Sequence, residues 1–511
     1  MRPRCLAALL CLLLASCLCA QQPALRNAGF EAVANDAPAD WTCPPYWSGE
    51  FTSVADPALA HGGKRAGQLK AVAKGDRTWG RIHSGLIPAA VGLSYRYAVF
   101  ARGTGTLKLG VINYLPSEPG KTAYEYVWQE QPTPLTDQWQ EVVLTFKPVN
   151  YTVKSLAVTI EVEGADAAAV LDDVSLSIVR QGQGTLTATP YTMAAPGTDV
   201  TINVRVQRDG QPAALPLLAI RQTATGAAPE ELRSGDDGSL CLTVKTPAAA
   251  ELVRVDLVQG DLGLVATSYV DVVAAETLAQ FRAAAERLKL PPPPQHWLFF
   301  GDSLTDFSRG FNYVDQVMFW VSQAGAVTYR NAGVGGDYIT RSLDRLNGKA
   351  GTWRLEMYDH LDEPKPTRVF MMLGHNDSKL TSSSGFTEPV VKPEDYTAQF
   401  AEFIGKVKEQ GGAPFTLLSP TSSVYEITKA NADKAVAAGR GASLFGKPEV
   451  MAQFTKLTQD VAATTGSDYI DVFTPTRDFP SKPTLFAADG VHLSLDGNHF
   501  VALEILKHLA K

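Results

Sequence analysis

The sequence predicts a multidomain protein in which two all-β domains precede an α/β domain with a parallel sheet. Short stretches of alternating apolar and polar residues, separated by Gly, Pro and Asp turns, recur over residues 24–273. From residue 296 onward, apolar strand-like runs alternate instead with helical patterns, as in a parallel sheet covered by helices on both faces. A chain of 511 residues also agrees with about three domains of roughly 150 residues each.

The composition is that of an ordinary globular protein with a modest negative charge. The 46 Lys and Arg residues stand against 53 Asp and Glu residues, which makes the net charge −7. A nucleic-acid-binding protein usually carries a basic face, so we expect no nucleic-acid partner. Only two of the six cysteines, Cys43 and Cys241, follow the first 20 residues. This predicts two buried free thiols rather than a disulfide framework.

Residues 1–20 have the pattern of a signal peptide. Arg2 and Arg4 form a positive n-region, and Leu6–Ala15 is an apolar h-region. This run is shorter than the roughly 20 residues that span a bilayer, and no later stretch is long and apolar enough, so no transmembrane helix is expected. Cleavage after Ala20 would give a secreted or periplasmic protein.

A second processing site competes with the first. Leu14–Cys17, with the sequence Leu-Ala-Ser-Cys, resembles a bacterial lipobox. In that case residues 1–16 are a lipoprotein signal, and lipidated Cys17 attaches the protein to the membrane at the bacterial cell envelope. The sequence leaves both alternatives open.

Residues 24–180 predict an all-β jelly roll, because period-2 runs at this spacing are typical of sandwiches and jelly rolls. The clearest runs are Tyr95–Phe100, Leu107–Val111, Glu141–Phe146 and Leu156–Ile160. Seven aromatic residues could stack on sugar rings, although core packing is the alternative and must hold for several of them. They are Trp41, Tyr46, Trp47, Trp79, Tyr124, Tyr126 and Trp128. Trp139 is expected in the core.

The two ends of this module carry a resemblance. It opens with Asn27–Glu31 and closes with Leu171–Leu176, and together these segments resemble the ends of jelly-roll carbohydrate-binding modules. The resemblance implies that the terminal strands lie side by side. It also implies that Glu31 and Asp172 or Asp173 hold a structural Ca²⁺, a cation that prefers oxygen ligands.

Residues 181–273 predict an immunoglobulin-like β sandwich. Alternation is clean over Val200–Val206, Ser239–Val244 and Leu252–Leu257. No chemistry-bearing residues stand out, so this domain is expected to be a spacer. Residues 274–295 predict a linker, made of a helix over Ala275–Leu290 and a stiff run of four prolines.

Residues 296–511 predict a three-layer, flavodoxin-like α/β domain. Five apolar runs are expected to form its parallel sheet: Trp297–Phe300, Val327–Arg330, Val369–Leu373, Phe415–Leu418 and Tyr469–Val472. One helical stripe is formed by Tyr396, Phe400, Phe403, Ile404 and Val407. Ligands of such sheets bind at the carboxyl ends of the strands, so the polar loops there carry the functional prediction.

Two of these loops contain the parts of a serine nucleophile system. Ser303 follows the strand Trp297–Phe300 within Gly-Asp-Ser-Leu-Thr, and Asp489 and His492 lie in Asp-Gly-Val-His before a final helix over Leu495–Leu509. A neutral His can accept the Ser proton if a carboxylate holds its other ring nitrogen. Taken singly, the Ser303 loop would instead be interpreted as a helix cap, and the Asp489–His492 loop as a surface turn.

Two further loops can supply hydrogen bonds to an oxyanion. Residues 331–337 contain Gly333, Gly335 and Gly336, whose lack of a side chain allows close backbone approach. Asn376 follows the strand Val369–Leu373, and its amide can provide another donor. The glycine loop lacks the P-loop and Rossmann patterns that bind phosphate.

The four loops, in this order, resemble the SGNH (GDSL-type) hydrolase family over residues 296–511. The resemblance implies that Ser303 is the nucleophile, His492 the general base and then acid, and Asp489 the carboxylate that orients His492. It implies an oxyanion hole of the Ser303 and Gly336 N–H groups and the Asn376 side chain, with Gly333 as the alternative to Gly336. No cofactor is expected for catalysis.

The Gly-His-Asn-Asp form of the third block is similar to that of rhamnogalacturonan acetylesterases in the same family. This similarity raises the hypothesis that His375 contacts substrate; the alternative is packing behind the site. Asp302 is a further candidate for substrate binding, although it and Asp337 are expected mainly to cap loops.

The sequence therefore predicts an exported serine esterase. The favoured interpretation is a carbohydrate O-acetylesterase that acts on a polysaccharide through an acyl-Ser303 intermediate. One alternative is a lipid or general acyl esterase, or a thioesterase, acting on an acylated small molecule. Another is a surface glycan-binding protein with an inactive hydrolase domain.

Overall fold

The structure, a computed structural model, describes residues 25–115, 123–148, 150, 153, 155–411 and 413–511. The predicted signal peptide and the lipidated Cys17 lie outside these residues. Among the helices of these ranges, none combines the length and the apolar character that crossing a bilayer requires.

The first domain is all-β, as predicted. Its strands are β1 (Val33–Ala34), β2 (Ala37–Pro38), β3 (Trp41–Thr42), β4 (Glu50–Val54), β5 (Ala66–Lys70), β6 (Val72–Lys74), β7 (Arg77–Ser84), β8 (Ile87–Pro88), β9 (Tyr95–Leu115), β10 (Ala123–Trp128), β11 (Thr133–Pro134), β12 (Gln140–Phe146) and β13 (Ser155–Ile178). The inward-facing residues of these strands form one buried core.

Strands β9 and β13 are long and bent, and both belong to one continuous 11-stranded sheet. The first half of β9 pairs with β12 and with the second half of β13. The second half of β9 pairs with β10 and with the first half of β13. Gly103 and Gly105, both at positive φ, form the bend, and a Cβ on Gly103 would lie 1.9 Å from the carbonyl oxygen of Ala168. The predicted strands Tyr95–Phe100 and Leu107–Val111 are therefore two halves of one strand.

The second domain is a sandwich of two sheets, as predicted. Its strands are β14 (Gly184–Ala188), β15 (Tyr191–Ala194), β16 (Asp199–Arg208), β17 (Gln211–Pro212), β18 (Pro216–Thr223), β19 (Gly226–Arg233), β20 (Ser239–Lys245), β21 (Glu251–Gln259) and β22 (Leu264–Val272). One sheet contains β14, β16, β17 and β20, and the other has the order β15-β22-β21-β18-β19. Cys241 is exposed and Cys43 is half-buried, so the prediction that both thiols are buried was wrong for Cys241.

The α/β domain contains a parallel sheet of β23 (Gln295–Gly301), β24 (Val327–Asn331), β25 (Arg368–Met372), β27 (Phe415–Leu418) and β29 (Asp468–Ile470), with β26 (Leu380–Thr381) and β28 (Ser443–Leu444) pairing separately. Its helices are α2 (Ser303–Asp306), α3 (Tyr313–Ala324), α4 (Ile339–Leu346), α5 (His375–Ser378), α6 (Pro393–Gly411), α7 (Tyr425–Ala437), α8 (Pro448–Thr465), α9 (Phe473–Arg477) and α10 (Leu495–Leu509), preceded by α1 (Ala275–Ala285). Single 3₁₀ turns occur at Leu355–Tyr358, Ser382–Ser384 and Lys482–Leu485.

Helices cover both faces of this sheet, which confirms the three-layer prediction. Along β23, Trp297 and Phe299 face a core shared with α1, α3 and α10, whereas Leu298 and Phe300 face a core shared with α4, α6 and α8. The sheet has the order β24-β23-β25-β27-β29, so the loops after β23, β24 and β25 meet at its carboxyl edge. That edge holds the predicted site.

The domains are packed against each other. Val91 and Leu93 of the first domain share a core cluster with Ile220 and Val258 of the sandwich. Helix α1 ends at Ala285, earlier than predicted, and its buried Phe281 joins the core on the α3 side of the α/β domain. The predicted linker helix is thus part of a packed layer.

Candidate active site

Ser303, His492 and Asp489 form a hydrogen-bonded row at the carboxyl edge of the sheet. The Ser303 hydroxyl lies 2.8 Å from Nε2 of His492, and Nδ1 of His492 lies 2.5 Å from Oδ2 of Asp489. If Nδ1 carries the proton, Nε2 is free to accept one from Ser303. The structure thus brings together the three residues that the sequence placed in a triad.

A tight turn sets the distance between Asp489 and His492. Oδ1 of Asp489 accepts hydrogen bonds from the N–H groups of Val491, at 2.9 Å, and His492, at 3.0 Å. Burial alone would raise the pKa of Asp489, but these bonds and the His492 side chain outweigh it and lower the pKa. Gly490 has a φ of +75°, and a Cβ there would lie 2.9 Å from Ile427, so glycine suits this turn.

The nucleophile stands at the first residue of α2, directly after β23. Asp302 precedes it and caps this short helix, because its Oδ1 accepts a hydrogen bond of 2.9 Å from the N–H of Leu304. Ser303 is 7% exposed, so little of it is open to solvent. The strand-to-helix turn places its hydroxyl in contact with His492.

Three hydrogen-bond donors beside Ser303 have no acceptor within the described part of the chain: the N–H groups of Ser303 and Gly336 and the side-chain amide of Asn376. By contrast, Gly333 donates to Oδ1 of Asn331 at 3.0 Å. This difference favours Gly336 over Gly333 as the backbone donor. An oxyanion hole requires unengaged donors of this kind near the nucleophile.

A lysine that the sequence analysis did not single out orients Asn376. The ammonium group of Lys379 donates to Oδ1 of Asn376 at 3.3 Å. Since a lysine can only donate, this contact assigns the oxygen to that side and leaves the NH₂ group facing away from Lys379. Burial and the nearby Arg341 lower the pKa of Lys379.

His375 and Asp302 lie behind the reacting groups. His375 is 1% exposed, and its Nε2 accepts a hydrogen bond of 3.1 Å from the N–H of Thr421. Its Nδ1 faces Oδ2 of Asp302 at 3.5 Å. This placement favours packing behind the site over direct substrate contact for both residues.

Two other carboxylates, those of Asp337 and Asp377, stabilise the loops that carry the site. Asp337 forms a fully buried ion pair with Arg345 and accepts a hydrogen bond from Ser342 at 2.8 Å, so it is an ion-pair partner rather than a loop cap. Oδ1 of Asp377 accepts the N–H of Ile339 at 2.7 Å, and burial raises the pKa of Asp377 to about 7.

Asp306, also missed from the sequence, joins the nucleophile helix to the glycine loop. Its Oδ2 accepts the N–H of Gly335 at 2.9 Å and pairs with Arg354 at 2.6 Å, and its Oδ1 pairs with Arg309. Arg309 in turn donates to the carbonyl oxygen of Gly333 at 2.7 Å. The sequence signal that could have identified Asp306 was its position, as an acidic residue at the end of the turn that carries Ser303.

The first domain presents a separate aromatic surface, which we call the tryptophan face: Trp47, Trp79 and Trp128 around Arg81. The Arg81 guanidinium lies 5.0, 4.9 and 4.7 Å from these three ring centroids, and its Nε donates to Glu161 at 2.8 Å. Trp128 lies flat on the sheet, since a Cβ on Gly110 would be 2.4 Å from its ring.

Exposed tyrosines continue this surface. Tyr46, Tyr124 and Tyr126 are 73%, 52% and 39% exposed, and the ring of Tyr126 stacks on that of Trp128. Trp41, at 5% exposure, belongs to the core instead. Trp139 is only half-buried and lies beneath Arg102, so its predicted core position was wrong.

The predicted calcium residues gather around one backbone loop, residues 61–65. The fully buried Asp172 accepts the N–H groups of His61 and Gly62 through Oδ2, Asp173 pairs with the His61 ring at 2.7 Å, and Glu31 accepts the N–H of Lys64 at 2.6 Å. Among the described residues, no group of three or more His, Cys, Asp or Glu side chains is arranged as a metal site. The carboxylate oxygens of these residues are the type of ligand that Ca²⁺ prefers.

The α/β domain matches a known family of hydrolases. Residues 299–500 match the model of the GDSL-like Lipase/Acylhydrolase family, which confirms the resemblance drawn from the four loops. This match supports a hydrolase that acts on esters. No curated protein matches the chain.

Solved structures resemble separate parts of the chain. A lipase/acylhydrolase from Enterococcus faecalis is 21% identical over 42% of this chain and 96% of its own, with a TM-score of 0.32. A structure of TmCBM61 in complex with β-1,4-galactotriose is 19% identical over 30% of this chain and 97% of its own, with a TM-score of 0.22. The CBM22-1 xylan-binding domain of Paenibacillus barcinonensis Xyn10C is 16% identical over 30% of this chain and 91% of its own, also with a TM-score of 0.22.

Proposed function

We propose that the protein is a carbohydrate O-acetylesterase that removes acyl groups from a polysaccharide through an acyl-Ser303 intermediate. The observation that carries the reaction type is the hydrogen-bonded row from Ser303 to His492 to Asp489 beside three unengaged donors. These are the groups that acyl transfer needs: a nucleophile, a base with a fixed tautomer and an oxyanion hole.

In this mechanism, His492 removes the Ser303 proton as the hydroxyl oxygen attacks the ester carbonyl carbon. The N–H groups of Ser303 and Gly336 and the amide of Asn376 stabilise the negative oxygen that forms. His492 then protonates the departing sugar oxygen, and Asp489 stabilises the imidazolium in between. A water molecule, deprotonated by His492, releases the acid and restores Ser303.

The polysaccharide substrate rests on the tryptophan face in the same chain. Trp47, Trp79 and Trp128 offer flat apolar rings, and Arg81 offers a polar group between them. Sugars combine apolar C–H faces with hydroxyl groups, so a surface of this mixed type suits them.

The test of the proposed function is acetate release from acetylated pectin, rhamnogalacturonan and xylan, with p-nitrophenyl acetate as the reference ester. Release from one polymer by the wild type but not by Ser303→Ala is the expected result. Hydrolysis of the small ester alone would favour the general acyl esterase and reject the carbohydrate substrate. No hydrolysis of any ester, with polymer binding retained, would favour the inactive glycan-binding protein.

For the tryptophan face, we expect Trp128→Ala to weaken binding of the substrate polymer by at least about fivefold, because truncating an aromatic side chain that anchors a ligand costs more than about 1 kcal/mol. Calorimetry on the full-length Ser303→Ala background measures this without turnover. Trp139→Ala is the matched control, since Trp139 also lies under an arginine but outside this surface. Equal affinity of the two variants would contradict sugar binding there.

We also propose that Glu31, Asp172 and Asp173 hold a structural Ca²⁺ in the first domain. Ca²⁺ should then raise the unfolding midpoint relative to chelator, since a ligand at 100 times its Kd adds about 2.7 kcal/mol to the free energy of unfolding. Asp172→Asn should lose this shift. An identical midpoint of the wild type in Ca²⁺ and in chelator would reject the site.

Export is part of the same proposal, because polymeric substrates lie outside the cell. Arg2, Arg4 and the apolar run that follows them support it. Mass spectrometry of the mature N-terminus separates the two forms: a lipidated Cys17 gives an envelope lipoprotein, and a free Gln21 gives a secreted protein.

A further inference from the structure

The second domain touches the α/β domain with one face of its sheet. Tyr191 and Met193 of β15 and Tyr269 and Asp271 of β22 lie on this face, and the parallel register places Tyr191 beside Tyr269 and Met193 beside Asp271. Tyr191 and Met193 belong to the same core cluster as α3 and α10 of the α/β domain. This continuous packing is inconsistent with a spacer that only separates its neighbours.

Asp271 forms a buried ion pair across this interface. Its Oδ2 accepts hydrogen bonds from the Tyr191 hydroxyl at 2.5 Å and from Nε2 of His499 at 2.7 Å, and Asp271 is fully buried. Burial would lower the pKa of His499, but the bonds and charges of Asp271 and Asp496 outweigh it and raise the pKa to about 9. His499 is therefore cationic at neutral pH and held by the second domain.

This ion pair holds the helix that follows the catalytic histidine. His499 lies in α10, which begins directly after the Asp489–His492 turn. The preceding residue, Asn498, accepts the N–H of Tyr313 at 2.9 Å, and the Tyr313 hydroxyl lies 2.8 Å from that of Thr305 in the nucleophile helix. The two catalytic segments are thus joined next to the point where Asp271 binds.

Tyr269, on the same face of β22, holds the other segment. Its ring centroid lies 4.9 Å from that of Phe311, and a Cβ on Gly310 would approach the ring to 2.5 Å. The segment 307–312 connects α2 to α3. Within it, the ring of Phe307 stacks on that of His492, with 4.7 Å between the ring centroids. The side chain of Asn312 stabilises this segment by donating to the carbonyl oxygen of Phe307 at 3.0 Å.

We propose that the second β domain is a positioning element of the active site. Tyr269 supports the segment that carries Ser303 and Phe307, and Asp271 supports the segment that carries His492. Together they set the spacing between the Ser303 hydroxyl and the His492 ring. The inference rests on the proposed function, because it assumes that Ser303 and His492 react as a pair.

The experiment compares full-length Tyr269→Ala, Tyr269→Phe and Asp271→Asn with the wild type well below their unfolding temperatures. We expect Tyr269→Ala and Asp271→Asn to lower kcat at least about tenfold with little change in KM, because small displacements of catalytic groups are costly even when they originate far from the chemistry. Tyr269→Phe keeps the ring contacts and should restore the wild-type kcat.

The matched control is Val255→Ala. Val255 is a fully buried residue of β21 whose side chain lies in the sandwich's own core and not on the face that touches the α/β domain. Because this variant loses stability without displacing the site, its kcat should stay unchanged. A wild-type kcat in Tyr269→Ala, or an equal loss in Val255→Ala, would overturn the proposal.

The rate at which diisopropyl fluorophosphate labels Ser303 separates this inference from the proposed function. Labelling of the wild type with slower labelling of Tyr269→Ala supports both. Labelling at equal rates overturns only the positioning role. Absence of Ser303 labelling in the wild type overturns the esterase mechanism and the positioning role with it.

Discussion

Ser303→Ala is expected to lower kcat by a factor on the order of 10⁶ on any ester that the wild type hydrolyses. Within the part of the chain that the structure describes, the Ser303 hydroxyl is the one in contact with Nε2 of His492, at 2.8 Å, so it is the atom expected to form the acyl intermediate. The oxyanion donors remain in the variant, so a small residual rate above the uncatalysed reaction is compatible with the mechanism.

Initial rates on p-nitrophenyl acetate measure the effect, and the molecular mass after diisopropyl fluorophosphate treatment identifies the modified residue. Ser322→Ala is a suitable control, because it makes the same chemical change on the exposed side of α3. A Ser303→Ala protein that retains wild-type turnover would eliminate the covalent mechanism.

The α/β domain could be predicted closely because its signals are local. The last helix begins at Leu495 and ends at Leu509, as expected, and Phe415–Leu418 forms a strand with those bounds. Apolar runs between helices show where a buried parallel strand lies, and polar loops after such strands meet at one edge. Ser303 and Asn376 could therefore be placed at that edge without contact information, whereas the role of His492 came from the family resemblance.

Other features depend on contacts that periodicity does not contain. Strand β9 appears in the sequence as two strands, because the glycine bend at Gly103 and Gly105 interrupts its alternation. The Asp271–His499 pair joins residues 228 positions apart in different domains, and neither residue stands out locally. The sequence predicts a spacer for the second domain because the residues that distinguish it, such as Asp271, are recognisable only by their contacts with the α/β domain.

The side-chain orientation at the oxyanion hole also required the structure. Asn376 could be identified by its position after a strand, but an amide has an acceptor end and a donor end. Lys379, which follows in the next turn, engages the oxygen end through its contact of 3.3 Å with Oδ1 and leaves the NH₂ end for another partner. A sequence shows that both residues are present, whereas only coordinates show that one orients the other.

Asn376→Ala is expected to lower kcat by about 10²–10³ with a much smaller change in KM, because one oxyanion-hole donor typically contributes about 2.7–4 kcal/mol to the transition state. The bond strengthens as charge develops on the oxygen, so the ground-state complex loses little. Michaelis–Menten constants on p-nitrophenyl acetate measure the two effects separately. A rise in KM at constant kcat would instead assign Asn376 to substrate binding.

Lys379→Met tests how the amide is oriented. It keeps the length of the side chain but removes the donor to Oδ1, so the amide can turn and kcat should fall by about tenfold, or about 1.4 kcal/mol. If Lys379 acts through Asn376, the double variant should be no slower than Asn376→Ala alone, because the two residues then work as one unit. Additive losses in that cycle would show that the Lys379 charge stabilises the oxyanion independently of the asparagine.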